Sequence, residues 1–253
     1  MKFAITPCPN DTFSYEALIS KKIKSGFEFE FADIEELNIA AENGKYPLTK
    51  MSFQAYIKNS DKYELLDAGA ALGMGTGPIL VVKKGGKFDP SKPVLVPGLN
   101  TTAAALLKFY AGGDIEMKAA YFRDISSAIS AGEADAGVLI HEGRFVFADE
   151  GLELAADLGG FWTMRTGLPV PLGCICIRKD VSKRKESVES LIRQSISAAF
   201  ENPKATREFV RSKAQYLDDS VLEKHIYAFV NNYSMDISKI RGDLIKNLSK
   251  CAI

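Results

Sequence analysis

A histidine that follows an apolar run near the middle of the chain is the first candidate for acid–base chemistry. The stretch GVLIHEGRF covers residues 137–145, and His141 stands where apolar residues give way to charged ones. Such a run is typical of a buried parallel strand, and α/β proteins bind ligands at the carboxyl ends of these strands. An imidazole with its ordinary pKa of about 6.5 suits a general base at neutral pH. His141 is therefore a candidate for the base of an active site, and a structural role at the strand edge, which is more common for a lone histidine, is the alternative.

Polar side chains also follow the first predicted strand, in the segment TPCPNDTF at residues 6–13. Asn10, Asp11 and Thr12 precede an apolar-periodic helix, and residues of these types are common helix N-caps. Because they come at the end of a strand, they are candidates to face a ligand. Simple capping of the helix is the alternative interpretation.

A third candidate segment, LTKMSFQAY, ends a short predicted strand with Lys50, Met51 and Ser52. Side chains alternate along a strand, so Lys50 and Ser52 point the same way. An ammonium group and a hydroxyl that converge on one spot suit a carboxylate or a hydroxylated ligand. A surface lysine beside a helix-capping serine is the alternative.

The fourth segment, PGLNTTAAALL, places Asn100, Thr101 and Thr102 directly before a predicted helix. Free backbone N–H groups at a helix start attract anions, and the threonine hydroxyls would add donors. Capping explains one of these residues but not all three. The glycine-rich GMGTGP at residues 73–78 lacks a nucleotide-binding pattern and is interpreted as a close backbone approach near a crossing between domains.

Cysteines and the second histidine offer weaker signals. Cys8 could act as a nucleophile with His141 if two domains met across a cleft, although nothing in the sequence sets that distance. A GxSxG elbow for a nucleophilic serine is lacking. Cys174 and Cys176 share a strand face and are interpreted as buried thiols, and His225 in the tail as structural. Four dispersed cysteines and two histidines match no zinc spacing, so neither a metal nor a disulfide framework is expected.

The elements that must position these residues alternate between strands and helices, and a helical tail follows from about residue 181. The stretch KKGGKFDPSKP at residues 83–93 is predicted to be a loop or linker, because Lys, Gly, Asp, Ser and Pro cluster there. This pattern predicts an α/β fold with two domains, largely parallel sheets and a ligand cleft between the domains. We place residues 1–86 and 175–253 in the first domain, with the helical tail, and residues 87–174 in the second.

The amino-acid composition limits the classes of partner that we expect. Lys plus Arg is 32 and Asp plus Glu is 32, so the net charge is zero, whereas nucleic-acid binders usually carry a basic excess. No apolar run approaches the roughly 18 residues of a membrane span, and the first residues lack a signal-peptide core. We expect a cytoplasmic protein with a small-molecule substrate and no nucleic-acid or membrane partner. The oligomeric state is left open.

Taken together, TPCPNDTF and GVLIHEGRF, with KMSFQAY, GTGP, NTTA and PLGCICIRKD in the same order, resemble the 1,4-dihydroxy-6-naphthoate synthases. These enzymes belong to the futalosine pathway of menaquinone biosynthesis. The match covers most of residues 3–180, and the helical tail carries little signature. The resemblance implies a fold like that of type II periplasmic binding proteins, with the substrate in the cleft. It also implies cleavage of cyclic dehypoxanthine futalosine, with release of a small sugar-derived fragment and without a metal or organic cofactor.

The same resemblance implies roles for individual residues. The general base of the family maps onto His141. The other mapped positions are substrate contacts or residues facing the cleft: Lys50, Met51, Ser52, Thr101, Thr102, Asn10, Asp11 and Thr12. Thr6 stands where a serine is common, and the hydroxyl is retained.

Two alternatives remain for the function. A solute-binding protein of the same architecture would predict an export signal or a lipoprotein cysteine, whereas Cys8 lies within the first strand–helix turn. The related chorismate-dehydrating enzyme lacks the pairing of PCPNDTF with HEGRF, which disfavours it here.

Overall fold

Two sheets organise the chain in the computed structural model, which describes residues 1–141, 143–213 and 219–251. The strands of the first sheet are β1 (Lys2–Ile5), β2 (Glu28–Phe31), β3 (Leu48–Ser52), β4 (Tyr63–Leu65), β5 (Ala71–Gly73) and β11 (Val170–Arg178). Those of the second are β6 (Ile79–Lys83), β7 (Val94–Val96), β8 (Met117–Ala119), β9 (Ala136–Leu139) and β10 (Leu152–Asp157). The first sheet has the order β2-β1-β3-β11-β4 with β5 paired to β11, and the second has the order β10-β6-β9-β7-β8.

Both sheets are mixed rather than largely parallel. In the first, β1 runs parallel to β2 and β3, while β11 runs antiparallel to β3, β4 and β5. In the second, β7 runs parallel to β8 and β9, while β6 runs antiparallel to β9 and β10. The strands β6 and β11 each follow a crossing between the sheets, and they begin beside the carboxyl ends of the parallel strands.

Helices cover the sheet faces and form the tail. Those before the last strand are α1 (Pro9–Ser14), α2 (Glu16–Ile19), α3 (Ile34–Glu42), α4 (Phe53–Lys58), α5 (Thr102–Ala111), α6 (Asp124–Ala131), α7 (Gly143–Val146) and α8 (Leu158–Thr166). A 3-10 helix (Lys179–Arg184) then leads into α9 (Lys185–Glu201), α10 (Pro203–Lys213), α11 (Asp219–Phe229), α12 (Asn232–Met235) and α13 (Arg241–Ser249). Among the described helices, none is long and apolar enough to cross a membrane.

Local sequence explains the helix ends nearest the cleft. Thr101 caps α5 by accepting a hydrogen bond from Ala104 N, and Gly112 ends the helix in the left-handed conformation. The first helix differs from the predicted one. It begins at Pro9, whose fixed φ suits the first helical position, with Cys8 as the N-cap. The polar residues expected to cap this helix therefore lie inside it.

The assignment of strands to the two sheets can be compared with the predicted boundaries of the two domains. The first segment was expected to end at residue 86, yet the strand Ile79–Lys83 pairs within the second sheet. The return was expected at residue 175, yet the strand Val170–Arg178 pairs with the first sheet from Val170 onward. We propose that the crossings lie between Gly73 and Ile79 and between Thr166 and Val170.

The core follows the alternation of β11. Ile175 and Ile177 belong to an apolar cluster with α1, α9 and α11, on one face of the first sheet. Cys174 and Cys176 face the other way, into a cluster that also contains residues of α5, α8 and the second sheet. Both thiols are buried and free, with their sulfur atoms 3.7 Å apart, as interpreted from the sequence.

Candidate active site

A cavity lies between the two sheets, at the carboxyl ends of β1, β3, β7 and β9. Its non-protein space, with the open solvent at the mouth included, is about 660 Å³. The first-sheet side is lined by Thr6, Asn10, Ile34, Lys50, Ser52, Ala71, Leu172, Gly173, His225 and Phe229. The opposite side and the crossing are lined by Gly77, Pro78, Thr101, Thr102, Ala103, Ile140, His141 and Arg144.

Most residues singled out in the sequence are thus brought together. Those that line the cavity are His141, Lys50, Ser52, Asn10, Thr101 and Thr102. Met51 does not line it, because strand alternation turns its side chain into the apolar core, opposite Cys174. Thr12 is buried inside α1, where its hydroxyl donates to the carbonyl of Cys8. Neither residue therefore lines the cavity, and direct contact of either with a ligand stays a prediction.

Asp11 also lies behind the cavity wall, where it organises the polar side chains of the first-sheet side. Its Oδ2 atom accepts hydrogen bonds from the backbone N–H of Thr6, at 3.2 Å, and from the Thr6 hydroxyl, at 2.6 Å. Its Oδ1 atom accepts from Asn10 Nδ2 at 2.9 Å and forms a salt bridge with Lys50 Nζ. Only 4% of the Asp11 side chain and 7% of the Lys50 side chain are exposed. The carboxylate is therefore fully used within the protein.

A glycine lets Lys50 reach this carboxylate. Gly173 pairs with Ser52 across the sheet, and a Cβ atom at position 173 would lie 2.7 Å from Lys50 Cε. Without a side chain at that position, the lysine can lie over β11 and point toward Asp11. Lys50 lines the cavity, but its ammonium group is already paired with the carboxylate of Asp11. It is therefore not a free binding position for a ligand.

Ser52 joins the two sides of the cleft rather than standing free. Its hydroxyl donates to the carbonyl of Asn100 at 2.7 Å and accepts from Ala55 N at the start of α4. Glu35 of α3 accepts hydrogen bonds from the backbone N–H of Asn100, at 3.0 Å, and from Asn100 Nδ2, at 3.2 Å. Burial raises the pKa of Glu35. These bonds hold α3 and β3 against the loop that precedes α5.

The start of α5 presents backbone donors to the cavity. The Thr101 hydroxyl is used as a cap and donates to Gly98 O at 2.7 Å, while the Thr102 hydroxyl donates to Pro171 O at 2.9 Å. Both hydroxyls are therefore engaged, unlike in the prediction that they would be ligand donors. The backbone N–H groups of Thr102 and Ala103 have no hydrogen bond within the described residues. Helix N-termini of this kind favour anions.

His141 stands at the mouth of the cavity, two residues beyond β9. Its φ of 53° is a left-handed backbone conformation, which is uncommon for residues other than glycine but enriched for histidine. The half-buried ring meets Phe122 edge-on, with centroids 5.0 Å apart, and lies at 5.9 Å over the ring of His225. The turn thus directs the imidazole back toward the first domain, where the polar residues lie.

Cys8 and His141 meet across the cleft, as the alternative interpretation required. The sulfur is 3.5 Å from His141 Nδ1 and 3.8 Å from Nε2. A thiol–imidazole contact of this length is compatible with a weak hydrogen bond. It leaves the nucleophilic pair as a chemical possibility that a substitution can test.

Two residues of the cavity wall were not identified from the sequence as parts of the site. His225 was interpreted as structural, yet it lines the cavity and contacts Asn10. Arg144 follows His141 in the signature, and its guanidinium donates to the carbonyl of Gly77 while Nε has no partner. Burial lowers the pKa of Arg144, and the carboxylate of Asp157 raises it. The position of Arg144 just after a predicted strand end could have identified it as a site residue from the sequence. The helical tail contains no such signal for His225.

Metal binding finds no support in the described ranges. They contain no group of three or more His, Cys, Asp or Glu side chains that could hold an ion. The absence of a metal or an organic cofactor from the reaction stays a prediction.

Comparison with known proteins assigns the chain to a family. The family profile described as menaquinone biosynthesis matches residues 1–252. A curated relative from Thermus thermophilus, named 1,4-dihydroxy-6-naphthoate synthase, is 38% identical over 94% of this chain and 89% of its own length. The chain belongs to this family. The resemblance predicted from the signature motifs is confirmed, and it extends into the helical tail.

Comparison with solved structures confirms the fold. A crystal structure of an Archaeoglobus fulgidus protein matches with a TM-score of 0.92 and 35% identity, over 99% of this chain and 95% of that one. A Candida albicans protein described as having the generic periplasmic binding protein fold matches with a TM-score of 0.70 at 12% identity, over 99% and 90% of the two chains. The chain therefore has the predicted α/β fold with two domains, like that of periplasmic binding proteins.

Proposed function

We propose that the chain is a lyase that converts cyclic dehypoxanthine futalosine to 1,4-dihydroxy-6-naphthoate in the futalosine pathway of menaquinone biosynthesis. The observation that carries this proposal is the common cavity. The imidazole of His141 and the unpaired N–H groups at the start of α5 belong to residues that line the same space, in a chain of the menaquinone biosynthesis family. A base and an anion site are the two features that this conversion needs.

The carboxylate of the substrate fits the start of α5. The unpaired N–H groups of Thr102 and Ala103 supply two donors at the positive end of the helix dipole. Arg144 adds a positive charge to the same cavity wall, and its hydrogen-bond acceptor among the described residues is the neutral carbonyl of Gly77. A carboxylated aromatic ring would thus be held by its acidic end, with the polyol part directed toward His141 and the first-sheet side.

His141 acts as the general base in this proposal. It takes the proton of a substrate hydroxyl, and the oxygen becomes a carbonyl on the released sugar-derived fragment. The carbon–carbon bond to that fragment breaks, and its electron pair passes into the ring system. Formation of the aromatic naphthoate helps to drive the cleavage.

Incubation of the purified protein with cyclic dehypoxanthine futalosine tests the proposal. Mass spectrometry is expected to show 1,4-dihydroxy-6-naphthoate formed in proportion to enzyme and time. Binding of the compound without conversion would instead favour a solute-binding protein of the same fold. Dehydration of chorismate, assayed in parallel, would favour the related dehydratase.

A further inference from the structure

His225 of the helical tail has a nitrogen atom that no protein group satisfies. The side chain is 1% exposed and lines the cavity. Its Nε2 atom lies 3.0 Å from Asn10 Oδ1, and its Nδ1 atom is buried without a hydrogen-bond partner. Buried polar atoms in folded proteins are nearly always paired, so an unpaired one calls for a physical explanation.

The neighbouring hydrogen bonds fix the tautomer of this ring. Asn10 Nδ2 donates to Asp11, so Asn10 Oδ1 is the atom left to face His225. An amide oxygen only accepts, and therefore His225 Nε2 carries the proton and donates. Burial, followed by the charges of His141 and Lys50, lowers the pKa of His225 and keeps the ring neutral. A neutral ring protonated at Nε2 has a lone pair at Nδ1, which makes that atom an acceptor.

No described group around the His225 ring donates a hydrogen bond to Nδ1, so a donor for this atom would come from the cavity. Asn10 occupies the Nε2 side, and Phe229 meets the ring edge-on with centroids 5.2 Å apart. His141, which lines the same cavity, stacks on the ring at a centroid distance of 5.9 Å, with the planes 17° apart. His141 is itself half-buried at the mouth, so a ligand that reaches this base also lies next to His225.

Two unpaired polar atoms belong to residues that line this cavity. Among the described residues, the side chains with such buried atoms are Gln54, Arg144, Ser195 and His225, and of these Arg144 and His225 line the cavity. Arg144 Nε is a donor and His225 Nδ1 an acceptor. A ligand that combines an acidic group with hydroxyl groups would satisfy both.

We propose that His225 is a substrate-binding residue, whose Nδ1 accepts a hydrogen bond from a hydroxyl of the sugar-derived part of the substrate. This inference rests on the proposed function, since it assigns the polyol part of that substrate to one residue. Asn10 acts through His225 as a positioning residue, because it selects the tautomer that leaves Nδ1 unprotonated.

Two substitutions separate binding from a purely structural role. Glutamine reaches the Nε2 position and can keep the bond to Asn10, whereas asparagine reaches the Nδ1 position and can keep the acceptor. We expect His225→Gln to raise KM about tenfold with kcat within about twofold, because one hydrogen bond to the substrate is lost. His225→Asn should have a KM nearer that of the unaltered protein and a lower midpoint of thermal unfolding. The reverse order of KM values, or a glutamine variant with unaltered KM, would overturn the proposal.

A spectroscopic test does not depend on the folding of a His225 variant. The chain has two histidines, so in the His141→Ala protein a ¹⁵N-histidine spectrum reports His225 alone. Addition of cyclic dehypoxanthine futalosine should move the Nδ1 resonance upfield, as expected when an unprotonated nitrogen accepts a hydrogen bond. An unchanged Nδ1 resonance at saturating substrate would refute the contact. Failure of the unaltered protein to convert the substrate would instead overturn the proposed function, which is measured separately.

Discussion

The two walls of the cleft use their polar groups in different ways. On the first-sheet side, Asp11, Lys50 and Asn10 are bonded to one another, and their charges cancel inside the protein. On the opposite side, the N–H groups at the start of α5 and Arg144 Nε have no protein acceptor among the described residues. Apart from His225 Nδ1, the first wall is a preassembled support, whereas the second keeps unpaired donors that are available to a ligand. The type of a polar residue by itself therefore does not show which groups are available to a ligand; the unpaired atoms do.

Removal of Asp11 should have the largest effect, because it disrupts the paired groups of the first wall. Asp11→Ala leaves the Lys50 ammonium group buried and unpaired, which costs about 3–5 kcal/mol of the free energy of unfolding. Urea denaturation followed by circular dichroism measures the loss. The double variant Asp11→Ala/Lys50→Met removes both charges and should recover part of the stability. A single variant as stable as the unaltered protein would show that the pair does not support the wall.

Loss of His141 should act on turnover and not on the fold. His141→Ala is expected to lower kcat by about a hundredfold or more, because the general base is lost while the anion site remains. Steady-state turnover and binding of the naphthoate product, measured by titration, check the two halves of this prediction. If turnover stays close to that of the unaltered protein, His141 is not the base.

The helix cap at Thr101 sharpens the comparison on the second wall. Thr101→Ala removes the acceptor for Ala104 N and should cost about 1 kcal/mol in the free energy of unfolding. Thr101→Ser keeps the hydroxyl and serves as the matched control. Urea denaturation of both variants measures the free energy of unfolding, which should be nearly unaltered in the serine variant. Equal destabilisation by both variants would point to the methyl group instead of the cap.

Cys8 is expected to have the smallest effect. If His141 acts on substrate directly, Cys8→Ser should change kcat by less than about threefold, since the sulfur only borders the ring. A nucleophilic thiol would instead make Cys8→Ala as inactive as His141→Ala. Parallel turnover assays of the three variants distinguish these outcomes.

Prediction from sequence succeeded where local geometry decides the outcome. The alternation of a strand correctly placed Lys50 and Ser52 on one face, and Thr101 was recognised as part of a helix start. The same alternation sends Met51 into the core, an outcome that the family mapping did not take into account. Asn10, Asp11 and Thr12 illustrate the limit of cap statistics, because Pro9 starts the helix one residue before them.

The sequence by itself determined the family, the two-domain α/β architecture and the strand ends that carry the site, since these follow from short motifs and hydrophobic periodicity. Only the tertiary structure decided which polar groups are already paired and which remain available. Asn10 and His225 are 215 positions apart in the chain, and Ser52 and Asn100 are 48 positions apart. No local pattern encodes such contacts, because they form only when the tail and the second domain pack against the first sheet.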